Sequence, residues 1–151
     1  MSQSLSRLYV HMVFHVKNNK IKIRQQEEQE LYAYMGAILK DNESIPIIIN
    51  GVSDHVHILC IMSKNIALSK LLEEVKKHSS RWIKTKHLDY ENFRWQGGYG
   101  AFSVSPEDAE TKKRYIQNQK EHHKKVSFKD EYLGLLDEYG IAYDEKYLWE
   151  D

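Results

Sequence analysis

The 151 residues predict an α+β fold in which an antiparallel sheet carries helices, with additional helices at the C-terminal end. Three observations carry that expectation. Short runs rich in β-branched and aromatic residues alternate with longer segments of helical period. Two apolar runs, Pro46-Ile47-Ile48-Ile49 and Asp54 to Met62, are separated by a short turn signal that starts at Asn50-Gly51. After residue 104 only helical patterns follow.

Leu8 to Val16 (LYVHMVFHV) reads as the first strand, with Asn18-Asn19 as its turn. Gln25 to Lys40 follows as a helix, because Leu31, Tyr34, Met35, Ile38 and Leu39 recur at helical spacing. Pro46 to Ile49 is the second strand; Asn50-Gly51 begins a tight reversal into the third, Asp54 to Met62, as an antiparallel pair. Ser63 to Lys86 is expected as a long helix whose inner stripe is Leu68, Leu71, Leu72, Val75, Ser79 and Trp82. His87 to Gly98 has aromatics without a period and reads as a connection, and Tyr99 to Val104 is a short fourth strand. Ser105 and Pro106 form a helix start, serine at the cap and proline in the first turn, for a helix running to about 123. A last helix spans Lys129 to Tyr139 and stops at Gly140; beyond it Tyr143, Tyr147, Leu148 and Trp149 are too aromatic for a free tail. The order is that of a ferredoxin-like (split βαβ, RRM-like) sandwich within one domain, 1–151, the C-terminal helix and tail occupying about 129–151.

Bulk properties narrow the function classes. Cys60 is the only cysteine and follows Ile58 and Leu59, so a core thiol is expected and an intrachain disulfide is excluded. The opening MSQSLSRLYVHMVFHV has an arginine inside its apolar stretch, and no window approaches a membrane span, so a cytoplasmic location is expected. The formal net charge is zero but unevenly spread. Lys64, Lys70, Lys76, Lys77, Arg81, Lys84 and Lys86 form one basic block, and Lys112, Lys113, Arg114, Lys120, Lys124 and Lys125 a second, while Asp130 to Asp151 is acidic. Local potential, not net charge, attracts a phosphate backbone, so a nucleic-acid partner stays open beside the plainer reading of solvated helix faces.

The chemistry-bearing residues are few. On a strand, side chains two apart point the same way, so His55 and His57 project from one face and Val56 and Ile58 from the other. That spacing suits two imidazoles gripping one ion, and equally a hydrogen-bonded or surface pair. Tyr115 and Gln119, four apart, share a helix face; a phenol nucleophile beside an amide ligand and a helix-anchoring tyrosine both fit. His122 and His123 near the helix end read as phosphate contacts or cap residues. His11 and His15 are not two apart, which disfavours a joint metal site between them. Gly97-Gly98-Tyr99-Gly100 lacks the Lys-Ser or Lys-Thr of a phosphate loop, and no zinc spacing or serine elbow is present.

Taken together, YVHMVFHVK, GVSDHVHIL, SKLLEEVKKHSSRWI, FRWQGGYGAFSVS and KRYIQNQKEHH resemble the IS200/IS605 family of single-strand DNA transposases and its REP-associated tyrosine transposase relatives. The resemblance covers nearly the whole chain, including the ending EYLGLLDEYGIAYDEKYLW. It implies His55, His57 and Gln119 as ligands of Mg²⁺ or Mn²⁺ and Tyr115 as the nucleophile. The implied reaction cuts and rejoins single-stranded DNA at hairpin-marked ends through a 5′-phosphotyrosine. A homodimer is implied too, with Tyr115 of one subunit completing the histidine pair of the other. Lys76, Lys77, Arg81, Lys84 and Lys86 are candidates for backbone contact, and Tyr99 and Trp95 for base stacking, Trp95 being first a candidate core anchor. Alternatives are a domesticated REP-associated nicking enzyme, a replication-type or relaxase-like nicking enzyme, and a non-catalytic hairpin-binding regulator. The first strand lacks the paired aromatics of a general RNA-binding domain.

Overall fold

The computed structural model describes residues 2–149. Its elements are β1 (Leu8–His15), α1 (Gln25–Asp41), β2 (Ile45–Val52), β3 (His55–Met62), α2 (Leu68–Ile83) and β4 (Gly100–Val104). Four further helices follow: α3 (Ala109–Gln117), α4 (Gln119–His122), α5 (Phe128–Glu138) and α6 (Glu145–Leu148). The strands make one open antiparallel sheet in the order β2-β3-β1-β4. Each β-α-β unit therefore brackets a strand of the other, the split βαβ arrangement expected from the element order.

Strand alternation sorts the sheet into two chemically different faces. Met12, Phe14, Val56, Ile58 and Cys60 face α1 and α2 and build the main core with Leu31, Met35, Leu39, Leu71, Leu72 and Val75. His11, Val13, His15, His55, His57 and Leu59 alternate with them and face the opposite side, where α3, α4 and α5 cover the sheet. The result is a three-layer domain core with polar residues sealed into one of its interfaces. On α2, each fully buried Leu or Val contributes roughly 1.5–3 kcal/mol, while a solvent-screened pair such as Lys70–Glu74 on the same helix adds little. The apolar stripe, and not the charge ladder, holds that helix in place.

Several boundaries differ from the sequence expectation, each for a local reason. α2 begins at Leu68 and not at Ser63, because the Ser63 N–H donates to Ser44 Oγ at 3.0 Å and the Asn65 N–H to Ser63 Oγ at 3.0 Å. Asn50-Gly51 continues β2, and the reversal falls at Ser53-Asp54. Asn50 is occupied elsewhere: its Nδ2 donates to the carbonyls of Ile116 (3.0 Å) and Gln117 (3.2 Å). Gly51 is needed in the strand because a Cβ there would lie 2.1 Å from the His55 carbonyl. Capping those two carbonyls also ends α3, so the single helix expected over about 106–123 is a short 3-10 turn (Pro106–Asp108), α3 and α4, broken at Asn118. Ser105 caps as expected, accepting from the Asp108 N–H at 3.3 Å.

The connection from 84 to 99 is anchored by buried aromatics. Tyr90 Oη accepts from the Arg24 N–H at 2.8 Å and donates to Glu27 at 2.9 Å. Trp95 sits among Phe14 and Phe93, and its Nε1–H donates to Ser79 Oγ at 3.0 Å. At the C-terminal end, Leu148 and Trp149 pack on the cluster of Tyr132, Leu135 and Leu136, while Tyr143 and Tyr147 remain exposed. Among the described residues no helix is long and apolar enough to cross a membrane.

Candidate metal and tyrosine site

The covered sheet face carries the site. β3 places His55 and His57 side by side, both fully buried, and their outer nitrogens are held from behind. The His55 Nδ1–H donates to Asp54 Oδ1 at 2.7 Å, and His57 Nδ1 meets His11 Nε2 at 2.8 Å. α4 and its C-cap bring Gln119 and His123 over the same spot, and α5 inserts Glu131. His57 Nε2 and His123 Nε2 each lie 3.0 Å from Glu131 Oε1, and His55 Nε2 lies 3.4 Å from it. Gln119 Oε1 faces His55 Nε2 at 3.3 Å, while its Nε2 donates to Glu131 Oε2 at 3.1 Å. Tyr115, on α3, donates its hydroxyl hydrogen to the same Oε2, and its ring centroid is 5.8 Å from that of His57.

The hydrogen-bond directions make this cluster more than a polar contact. A carboxylate and a backbone carbonyl can only accept, so Asp54 fixes the His55 proton on Nδ1, and the Val126 carbonyl, 2.8 Å from His123 Nδ1, fixes that of His123. The Nε2 lone pairs of the neutral rings then point at a carboxylate oxygen. Lone pairs facing lone pairs require a positive charge between them, either protons or a cation. Ligand atoms of His55, His57, His123 and Glu131 all lie within 4.8 Å of one another. Neighbouring ligands around an ion bound at about 2.0–2.1 Å are separated by about 2.9–3.4 Å, the range of the three contacts from His55, His57 and His123 to Glu131 Oε1. The residues present therefore fit a divalent metal, with second-layer partners of the kind that orient ligating imidazoles.

Electrostatics agree with the geometry. Burial alone would raise the Glu131 carboxyl, but hydrogen bonds from His123, His55 and His57 hold it well below the usual carboxylate range. Burial pushes His57 down to about 4 and His11 well below its ordinary value. Burial also opposes the charge on His55, yet Asp54 and Glu131 overcome it and raise that group. Burial, then Glu131, raises the Tyr115 phenol, so the hydroxyl is protonated in this state. Two openings flank the connection between α4 and α5, with Val126 on both. One, about 590 Å³, is lined by Asp54, Lys120, His123 and Phe128; the other, about 540 Å³, by Lys112, Tyr115, His122 and Glu131.

The sequence-derived candidates thus divide. His55, His57, Gln119 and Tyr115 converge. Glu131, His123 and His11 join them without having been singled out for that role; for His123 the signal was its position four residues after Gln119, and for Glu131 there was none. Lys76, Lys77 and Lys84 line one groove with Lys17 and Arg94, although Lys76 Nζ also donates to the carbonyls of Gln96 (2.6 Å) and Gly98 (2.9 Å). Lys86 pairs with Glu30 at 2.9 Å and lies over the Trp82 ring, outside that groove, and Arg81 is exposed. Tyr99 is 38% exposed. Trp95, at 8%, packs edge-on with Phe14 and Phe93 as a core anchor, and it also lines the groove of Lys76, Lys77 and Lys84.

An open antiparallel split βαβ sheet thus carries a His/His/His/Glu cluster that could hold a divalent metal. Residues 4–119 match the family described as Transposase IS200 like, and the chain belongs to that family. Its fold is similar to that of a Deinococcus radiodurans R1 protein assigned as a transposase, at a TM-score of 0.61 and 18% identity, over 79% of this chain and 98% of the other. It is also similar to a REP-associated tyrosine transposase whose structure was determined bound to a REP hairpin. There the TM-score is 0.60 and the identity 16%, over 83% of this chain and 76% of that one. No curated protein shows significant similarity to the chain.

Proposed function

We propose that the chain, acting over 1–151 as one transposase domain, cuts and rejoins single-stranded DNA at hairpin-marked ends through a 5′-phosphotyrosine on Tyr115. The observation that carries this reading is the meeting of the Tyr115 hydroxyl with the carboxylate that His55, His57, His122 and His123 surround. His55, His57 and Gln119, with His123 and Glu131 beside them, would hold Mg²⁺ or Mn²⁺. Such an ion, when bound, would polarise a phosphate oxygen and offset the charge that builds up during attack. Oxygen donors suit Mg²⁺, and a site mixing three imidazoles with oxygens favours Mn²⁺ over it.

The roles of the chain's own groups follow. Tyr115 Oη attacks phosphorus, the bond from phosphorus to the 3′ oxygen breaks, and the 5′ end stays linked to the tyrosine. Glu131 Oε2 already accepts the phenol hydrogen bond and is the acceptor within reach of its proton. The leaving oxygen takes up a proton and becomes a 3′-hydroxyl, which can reverse the step on the same or another linkage without an external energy source. Asp54 and His11 keep the imidazoles aimed. Because one tyrosine serves one strand transfer, a two-ended reaction calls for a homodimer. Tyr115 meets the histidines of its own chain here, and an exchange in trans would require α3 to leave that position. Mixing Tyr115→Phe with His57→Ala protein tests the exchange: restored cleavage supports it, and inactive mixed dimers refute it.

The activity itself is tested with labelled single strands carrying candidate hairpin ends, in Mn²⁺ or EDTA. A covalent adduct that needs metal and disappears in Tyr115→Phe is expected. Hairpin binding without an adduct would instead leave a DNA-binding regulator.

A further inference from the structure

A cavity of about 330 Å³ adjoins the histidine cluster and has no role in the steps above; His15, Asn18, Asp54, Phe128, Lys129 and Trp149 line it. Three of these are aromatic or heteroaromatic rings set around one space: His15 to Phe128 at 5.2 Å, His15 to Trp149 at 5.6 Å, and Phe128 to Trp149 at 6.2 Å between centroids. The other three supply a carboxylate, an amide and an ammonium group. Flat rings with a few convergent polar groups form the usual lining of a pocket for a planar heteroaromatic ligand.

Two further observations narrow the occupant. The Trp149 indole N–H is buried without a hydrogen-bond partner; it is a donor only, so a ligand acceptor reaching this wall would satisfy it. The cavity is also continuous with the site. Phe128 stacks on His55 at 4.1 Å, and Asp54, which lines the cavity, accepts the His55 Nδ1–H. Whatever sits here touches the two groups that brace a candidate metal ligand.

We propose that this cavity receives one unpaired nucleobase of the DNA strand, that of the nucleotide adjoining the phosphate attacked by Tyr115. The inference rests on the single-strand DNA reading above. The base is held against the parts of the His15, Phe128 and Trp149 rings that line the cavity and by hydrogen bonds to the Trp149 N–H and to Asp54 or Asn18, with the Lys129 ammonium, 6.0 Å from the Trp149 ring centroid, displaced toward the strand's phosphates. Occupancy would thereby place the scissile phosphate beside His55.

The test compares fluorescence-anisotropy titrations of a short mixed-sequence single strand and an abasic strand of equal length and charge. Wild type is expected to hold the strand with bases about tenfold or more tightly, the scale of one base stacked on aromatic rings. Trp149→Ala should lose most of that ratio, and Trp149→Phe, which keeps the packing and removes the donor, should fall between. Thermal unfolding shows that each variant is folded. An unchanged ratio in folded Trp149→Ala, or equal binding of both strands by wild type, overturns the pocket while leaving the DNA reading intact. If wild type binds neither strand, both fall.

Discussion

Replacing Glu131 by Gln removes one negative charge from the point on which four imidazoles, an amide and a phenol converge. The side chain is 3% exposed, with histidine nitrogens at 3.0, 3.0, 3.1 and 3.4 Å. Breaking such a buried ionic cluster by losing one partner costs about 3–5 kcal/mol, because the remaining groups stay buried without compensation. Glutamine keeps the shape and one acceptor, so the lower end, about 3 kcal/mol, is expected. For a chain of this size each kcal/mol is worth roughly 2–4 °C, which predicts a Tm lower by about 6–12 °C. Circular dichroism melts near neutral pH in EDTA measure it without a bound ion, and Asp137→Asn on the exposed face of α5 should melt like wild type. The pH dependence adds a second signature. The folded Glu131 carboxyl is depressed, so its contribution is complete above the unfolded value of about 4.3 and is lost as pH falls below it. The gap between wild type and variant should hold down to about pH 5 and narrow beneath about 4.3. A variant melting within about 2 °C of wild type would refute the argument that this carboxylate organises the site.

Three other outcomes are expected. Because burial holds His57 at about 4, the unfolded chain binds a proton that the folded one refuses between about pH 6.5 and 4, so stability rises with pH across that window. His57→Gln should flatten the rise in urea unfolding at stepped pH, and an unchanged slope would contradict it. Gly100→Ala puts a Cβ 2.6 Å from Tyr132 Cε1 on α5; it should cost about 1–3 kcal/mol and reduce adduct yield by displacing the neighbouring Glu131, whereas full yield would mean that α5 has latitude there. Lys77→Gln, Lys84→Gln and Arg94→Gln should each lower the salt slope of single-strand binding by about 1; a constant slope would remove the groove from the interface.

How much of this was legible in the sequence follows from what each feature depends on. The sheet order and the two faces of β3 were readable because strand alternation is local, and His55-Val56-His57 shows its register in three residues. Asn50-Gly51 misled because a turn signal was being used for other ends: Asn50 caps α3 and Gly51 clears the His55 carbonyl. The break at Asn118 was hidden for the same reason, since the group that ends the helix lies on a different strand. Glu131 was invisible among the acids of the C-terminal segment, as nothing in its neighbours says that it, alone among the described acids there, is buried. His11 was set aside by a spacing argument against His15, yet its partner is His57, on the adjacent strand. Side chains that meet diagonally across paired strands, as His11 and His57 do, escape any rule based on separation along the chain.

The central claim is that Tyr115 is the nucleophile, and mass mapping of the covalent product tests it most directly. Trypsin releases the segment from Tyr115 to Lys120, YIQNQK, which contains a single tyrosine. After incubation with a cleavable strand and Mn²⁺, nuclease digestion and fragmentation, the account predicts a nucleotide 5′-phosphate mass on Tyr115 of that peptide and on no other residue. Cleaved strands with the added mass on another residue, or with no protein adduct at all, would contradict it.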